Sequence, residues 1–149
     1  GQRQKELAEV EKERAQLEQA TADMVVCGEQ QPESDHFVEM ENSVIGSEQG
    51  TPWRETRGWF AYKMKSKGKP VNAVRIESFP DAAKDADVYV NEVKIGSVQG
   101  KNALHTLLLP KELWKASEWE VKIMRGKSEV TPKFRTVRMV LSRGLLVNE

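Results

Sequence analysis

Two textures of hydrophobic and polar positions divide this chain. From residue 4 to about residue 21 it is rich in Glu, Gln, Lys, Arg, Ala and Leu and contains no Gly or Pro, side chains that lose little freedom in a helix. Val10, Leu17 and Met24 recur at heptad spacing, but Arg3, Arg14 and Thr21 interrupt the stripe. The run is too short and too thinly apolar for a coiled coil. A helix with so little to bury is unstable alone, so it is expected to lie on another body, with an absent upstream domain favoured.

From Gly28 onward the period falls to two, in short runs separated by turn residues. Phe37-Val38-Glu39-Met40 alternates weakly. In Trp59-Phe60-Ala61-Tyr62-Lys63-Met64 the spacing sets Phe60, Tyr62 and Met64 on one face and Trp59 on the other. Ala73-Val74-Arg75-Ile76-Glu77 points Val74 and Ile76 inward. Val88-Tyr89-Val90 and Val93-Lys94-Ile95 flank Asn91-Glu92, which predicts a hairpin because Asn tolerates positive φ. A strand over residues 104–109 ends at Pro110, and Lys111-Glu112-Leu113-Trp114 resembles one helical turn. Trp119, Val121 and Ile123 alternate with polar neighbours, and residues 134–141 are apolar on both faces, as in a central strand. Roughly seven or eight short strands with almost no helix between them point to two stacked antiparallel sheets.

Composition narrows the classes. A length of 149 residues suits one core rather than two full domains. The 23 basic and 23 acidic side chains cancel, so no global field draws the chain to nucleic acid. No stretch is apolar enough to span a bilayer, and the first residues lack the apolar centre of a signal peptide. One cysteine, Cys27, permits no internal disulfide and no multi-cysteine zinc site.

Several passages carry a family likeness. Gly28-Glu29-Gln30-Gln31-Pro32-Glu33-Ser34-Asp35-His36-Phe37, then Trp53-Arg54-Glu55, then Gly58-Trp59-Phe60-Ala61-Tyr62 resemble, in this order, the C-terminal region of the bacterial glycoside hydrolase family 127, the β-L-arabinofuranosidases and their relatives. Asp87-Val88-Tyr89-Val90-Asn91-Glu92-Val93-Lys94-Ile95-Gly96 is similar to that family's strand–turn–strand segment, with Asn91-Glu92 where Asp-Gly is usual. The likeness runs from about residue 25 to 141. It implies a β-sandwich accessory domain following an (α/α)6-barrel that hydrolyses plant-type glycans. The catalytic cysteine–zinc site and glutamate of that family belong to the barrel, and Cys27 does not match their motif, so none is carried over. Export to the periplasm or beyond is implied by the resemblance alone.

Candidate chemistry is sparse. Glu29, Glu33, Asp35 and His36 could form a metal site or an acid–base pair. An irregular loop whose Ser34 and Asp35 satisfy backbone N–H groups is favoured instead, because nothing else completes a catalytic set; any role for the loop would be docking on the barrel. Trp53, Trp59, Phe60, Tyr62, Trp114 and Trp119 include possible sugar platforms, and Trp53-Arg54, read as a loop after Gly50-Thr51-Pro52, is the best placed. Burial in a core or interface is the commoner fate of tryptophan. Asp81, Asp85 and Asp87 read as a solvated turn rather than a calcium loop, and Lys63, Lys65, Lys67 and Lys69 as a polar strand end.

The expected fold is therefore all-β, an antiparallel two-sheet sandwich of jelly-roll, galactose-binding-like type preceded by an N-terminal α-helix. The expected division is a helical linker over 1–24, the sandwich over 25–143 and a tail over 144–149. The expected function is a non-catalytic accessory module packing on the catalytic domain of its own polypeptide, with a carbohydrate-binding module as the alternative. The candidate interface or binding residues are Glu29, Gln30, Gln31, Glu33, Asp35, His36, Trp53, Arg54 and Trp59; no cofactor, metal, nucleic acid or membrane partner is expected.

Overall fold

The computed structural model describes residues 1–144; of the expected tail over 144–149, all but Gly144 lies outside the described residues. The elements in order are α1 (Gln2–Ala20), β1 (Thr21–Val26), α2 (Gln30–Asp35), β2 (Glu39–Glu48), β3 (Thr51–Lys65), β4 (Ala73–Ser78), β5 (Asp85–Val90), β6 (Val93–Gln99), β7 (Leu104–Leu108), a 3-10 turn (Lys111–Leu113), β8 (Glu118–Arg125) and β9 (Phe134–Val140).

All described strand pairings are antiparallel. One layer runs β2-β3-β8-β5-β6 and the other β1-β9-β4-β7, and they join at a single bridge, Arg54↔Phe134, between β3 and β9. The period-two pattern explains the packing. Phe60, Tyr62 and Met64 of β3, Trp119, Val121 and Ile123 of β8, and Val88 and Val90 of β5 meet Val25, Val74, Ile76, Val137 and Met139 of the other layer. At the far edge β6 faces β7 so closely that a Cβ on Gly96 would lie 3.1 Å from Leu107. The result is the expected jelly-roll, galactose-binding-like sandwich. β9 is central, between β1 and β4, as expected, with Phe134, Val137 and Met139 in the core and Thr136 and Arg138 only partly buried.

Four boundaries differ from the sequence reading, the first being the strand read over residues 37–40, which begins at Glu39 and runs on to Glu48 as β2, with Phe37 outside it at φ 51°. The helix stops at Ala20, and Thr21–Val26 is a strand paired with β9; here β-branched Thr21, Val25 and Val26 find a sheet edge, and Met24 belongs to that strand rather than to a helical stripe. Trp53-Arg54 lies within β3, not in a loop, because β2 extends to Glu48 and turns back through Gln49 and Gly50, at φ 50° and 83°. Pro52 near the start of β3 is compatible with strand structure, where one N–H can be dispensed with. Residues 29–36, read as an irregular loop, contain the short helix α2. The helix α1 itself buries no residue; it meets the sandwich at its end, where Arg138 bonds Glu18 Oε1 at 3.3 Å.

Candidate functional site

The candidate residues on α2 turn inward and fasten the helix to the sheets. Glu33 accepts from Arg54 twice, Nε to Oε2 at 2.7 Å and Nη2 to Oε1 at 2.8 Å, with 5% of each side chain exposed. Tyr62 donates its hydroxyl to the same carboxylate. Burial pushes the Glu33 carboxyl upward, yet the Arg54 and Tyr62 bonds outweigh it and hold it below its ordinary value. Arg54 is correspondingly raised against burial by Glu33, and it also donates to Ser43 Oγ at 2.9 Å. Beside this group Cys27 is fully buried, and burial pushes its thiol up to about 12, so it is an inert packing residue. Gly28, at φ 86°, lets the chain pass the Trp53 carbonyl, where a Cβ would lie 2.4 Å from the oxygen.

His36 forms the second fastening. Its Nε2 lies 2.8 Å from Asp23 Oδ1 and its Nδ1 2.6 Å from the Pro32 carbonyl. Both partners are acceptors, so both ring nitrogens donate and the ring is an imidazolium. The Asp23 bond raises His36 above its usual value, against burial. Asp23 is pushed up by burial but ends below its ordinary value through His36 and the Lys65 amide, which donates at 2.9 Å. Glu29, Gln30, Gln31 and Asp35 stay exposed, Gln31 donating to Asp35 at 2.8 Å. Glu33, Asp35 and His36 thus do not converge as an acid–base set. A cleft of about 480 Å³ lies between α2 and β2, lined by Gln30, Glu33, Ser34, Phe37, Val38, Ile45 and Arg54.

The two candidate tryptophans project from the outer side of β3. Trp53 lies against Gly46, where a Cβ would come within 2.3 Å of the ring, and carries the Lys133 ammonium at 4.8 Å from its centroid; it is a packed strand residue rather than a loop platform. Trp59 is half-buried, donates to Glu41 Oε2 at 3.2 Å and has the Lys122 ammonium 5.1 Å from its centroid. Cross-strand register gathers an outer face around it. One row reads Glu41, Trp59, Met124, Asp87 and Ser97, and the next Glu39, Ala61, Lys122, Tyr89 and Lys94. Trp59 and Tyr89 stand two strands and one row apart, about 12 Å between Cα atoms by sheet geometry. Ser97 donates to Asp87 at 2.9 Å, and Lys94 pairs with Asp87 at 3.4 Å. Tyr89 was missed as a site residue, although the alternation Val88-Tyr89-Val90 already sets it outward.

The remaining candidates are structural. Trp119 is core and Trp114 bonds the Leu109 carbonyl at 2.8 Å. Asp85 caps the Lys127 and Ser128 amides, Asp81 pairs with Lys84 and Asp87 with Lys94. Among the described residues no three His, Cys, Asp or Glu side chains come together to hold a metal ion, and no helix is long and apolar enough to cross a membrane.

The fold defines a class, the jelly-roll sandwich in which known carbohydrate-binding modules are found. Within it, the chain belongs to DUF6805, a family of unknown function whose profile matches residues 16–140. No curated protein matches the chain. Among solved structures it is similar to a carbohydrate-binding module, CBM36, in complex with calcium and xylotriose, at TM-score 0.51 and 10% identity over 70% of this chain and 93% of that one. It is also similar to the CBM36-1 domain of a multidomain xylanase from the hindgut metagenome of Trinervitermes trinervoides, at TM-score 0.51 and 10% identity over 80% of this chain and 96% of the other. The extracellular domain of ANXUR1 from Arabidopsis thaliana aligns at TM-score 0.54 and 12% identity over 80% of this chain and 42% of that one. At such identities the likeness is one of fold.

Proposed function

We propose that this chain is a non-catalytic carbohydrate-binding module of an exported, carbohydrate-degrading enzyme. The observation that carries the reading is the outer face of β3, β8 and β5, where Trp59 and Tyr89 stand among Asp87, Lys94, Ser97 and Lys122. Sugar rings present C–H groups to the electron-rich faces of aromatic side chains and hydroxyls to polar neighbours. The rigid sheet holds both kinds of group at fixed spacing. Two rings about 12 Å apart suit an oligosaccharide lying across the strands, with Lys122 swinging off the Trp59 ring to donate to hydroxyls. The CBM36 structure is in complex with calcium; here Asp81, Asp85 and Asp87 are each engaged by protein groups, and the proposed binding face does not call on a metal.

The enzymatic context is supported by the resemblance of residues 28–37, 53–55 and 58–62 to glycoside hydrolase family 127, and a periplasmic or extracellular location follows from it. Packing on an (α/α)6 catalytic barrel, implied by the same resemblance, is a second role. A glycan array of plant-type oligosaccharides, arabinose-containing ones included, tests the reading. Expected are hits that survive EDTA and weaken at least about tenfold in Trp59→Ala; an empty array, or hits that ignore Trp59→Ala, overturns it.

A further inference from the structure

The two layers are unequal at one edge. β2 extends the first layer, its described pairing is with β3 alone, and the second layer ends at β1 beneath β3. Residues of β2 that share the inner face with Phe60 and Arg54, namely Met40 and Ile45, therefore have no strand opposite them, only the short helix α2. They are 41% and 53% exposed, and Phe37 beside them is 59% exposed. Phe37 is also held at φ 51°, a conformation unfavourable for a bulky side chain. Phe37, Val38 and Ile45 wall the cleft under α2, whose floor is the Glu33–Arg54 pair; Met40 lies outside it on the same face. The floor is already satisfied by its own bonds, and α2 is anchored twice, so the cleft is a preformed apolar recess beside an open strand edge.

We propose that this edge receives an extended segment of a partner protein by strand addition, apolar where it meets Met40 and Ile45 and basic where it flanks them, with one apolar side chain in the cleft. Backbone groups along an unpaired edge supply the hydrogen bonds of such a complex, and the recess supplies the selectivity. Charge sets the partner's chemistry: Glu29, Asp35, Glu39 and Glu41 are all exposed around the edge, whereas Glu48 is already paired with Lys133 at 3.2 Å. A second copy brought edge to edge would oppose these acids to one another, which is unfavourable. A basic segment is complementary. This edge borders the Trp59 face through Glu39 and Glu41, but the inference does not rest on the sugar reading.

The test uses the whole chain and two nine-residue peptides, one alternating Val and Lys, the other Val and Glu. Hydrogen exchange of the amides over 39–48 is followed with each, for the wild type and for Ile45→Asp, an exposed substitution whose fold is checked by thermal melting. Expected are protection of β2 by the Val-Lys peptide, binding of the Val-Glu peptide about tenfold weaker, and loss of protection in Ile45→Asp. Equal binding of both peptides, no protection by either, or concentration-dependent protection of β2 without peptide, meaning self-pairing, each overturns the proposal.

Discussion

The pairing of Glu33 with Arg54 couples a six-residue helix to the core, and its energetics follow from burial. Both charges are nearly out of water and both are fully bonded, so removing one partner leaves the other uncompensated. Arg54→Met should cost about 3–5 kcal/mol in urea unfolding, whereas Glu33→Gln with Arg54→Met should cost less than the two single changes summed. The His36–Asp23 pair makes stability depend on pH from both sides. His36 is raised above 6.5 in the folded chain, so its contribution is complete below that value and is lost as pH climbs through the raised one. Asp23 is lowered below 3.8, so its contribution is present above that value and disappears as pH falls further. Melting from about pH 6 to about pH 9 should show a decline that His36→Gln abolishes; a slope unchanged in the variant would contradict the imidazolium assignment. Sequence alone singled out Glu33 and His36 as neighbours, but their partners Arg54 and Asp23 stand 21 and 13 residues away. Nothing local encodes such pairing. The alternation that puts Phe60, Tyr62 and Met64 inward also puts Arg54 inward, once β3 is known to begin at Thr51.

Element by element, legibility followed burial. β4, β5, β8 and β9 have one or two buried faces and plain periodicity, and each was readable in advance. β2 is almost wholly exposed, so only the weak alternation of Phe37-Val38-Glu39-Met40 marks its start, and the rest takes its strand identity from pairing with β3. β1 was absorbed into the helical run because its apolar signal is only a few residues long. The β5–β6 hairpin was legible from Asn91, and the observed turn has φ 49° at Asn91 and 69° at Glu92, the two positive angles that a two-residue hairpin favours. Glu92 holds a conformation that suits glycine better. Glu92→Gly should therefore raise the melting temperature by a few degrees despite losing the Lys122 contact; a drop would mean that the Lys122 pair outweighs the backbone term.

At the scale of the whole molecule, the sandwich presents distinct surfaces that share one core. The outer face of the first layer carries Trp59 and Tyr89, the open edge carries α2 and β2, and α1 extends about 28 Å by its 19 residues while burying none of them. The fold class was readable because strand periodicity recurs along most of the chain. The choice of surface was not, since the proposed sugar platform depends on register across β3, β8 and β5, which brings residues 59, 89 and 122 together. Trp53 looked better placed than Trp59 only until both were seen on one strand. The most direct measurement is a calorimetric titration of the intact chain with xylo- and arabino-oligosaccharides of increasing length, beside Trp59→Ala and Tyr89→Ala. Affinity that rises with chain length and falls at least about tenfold in each variant is the predicted result; binding that neither variant weakens, or no heat with any oligosaccharide, would contradict it.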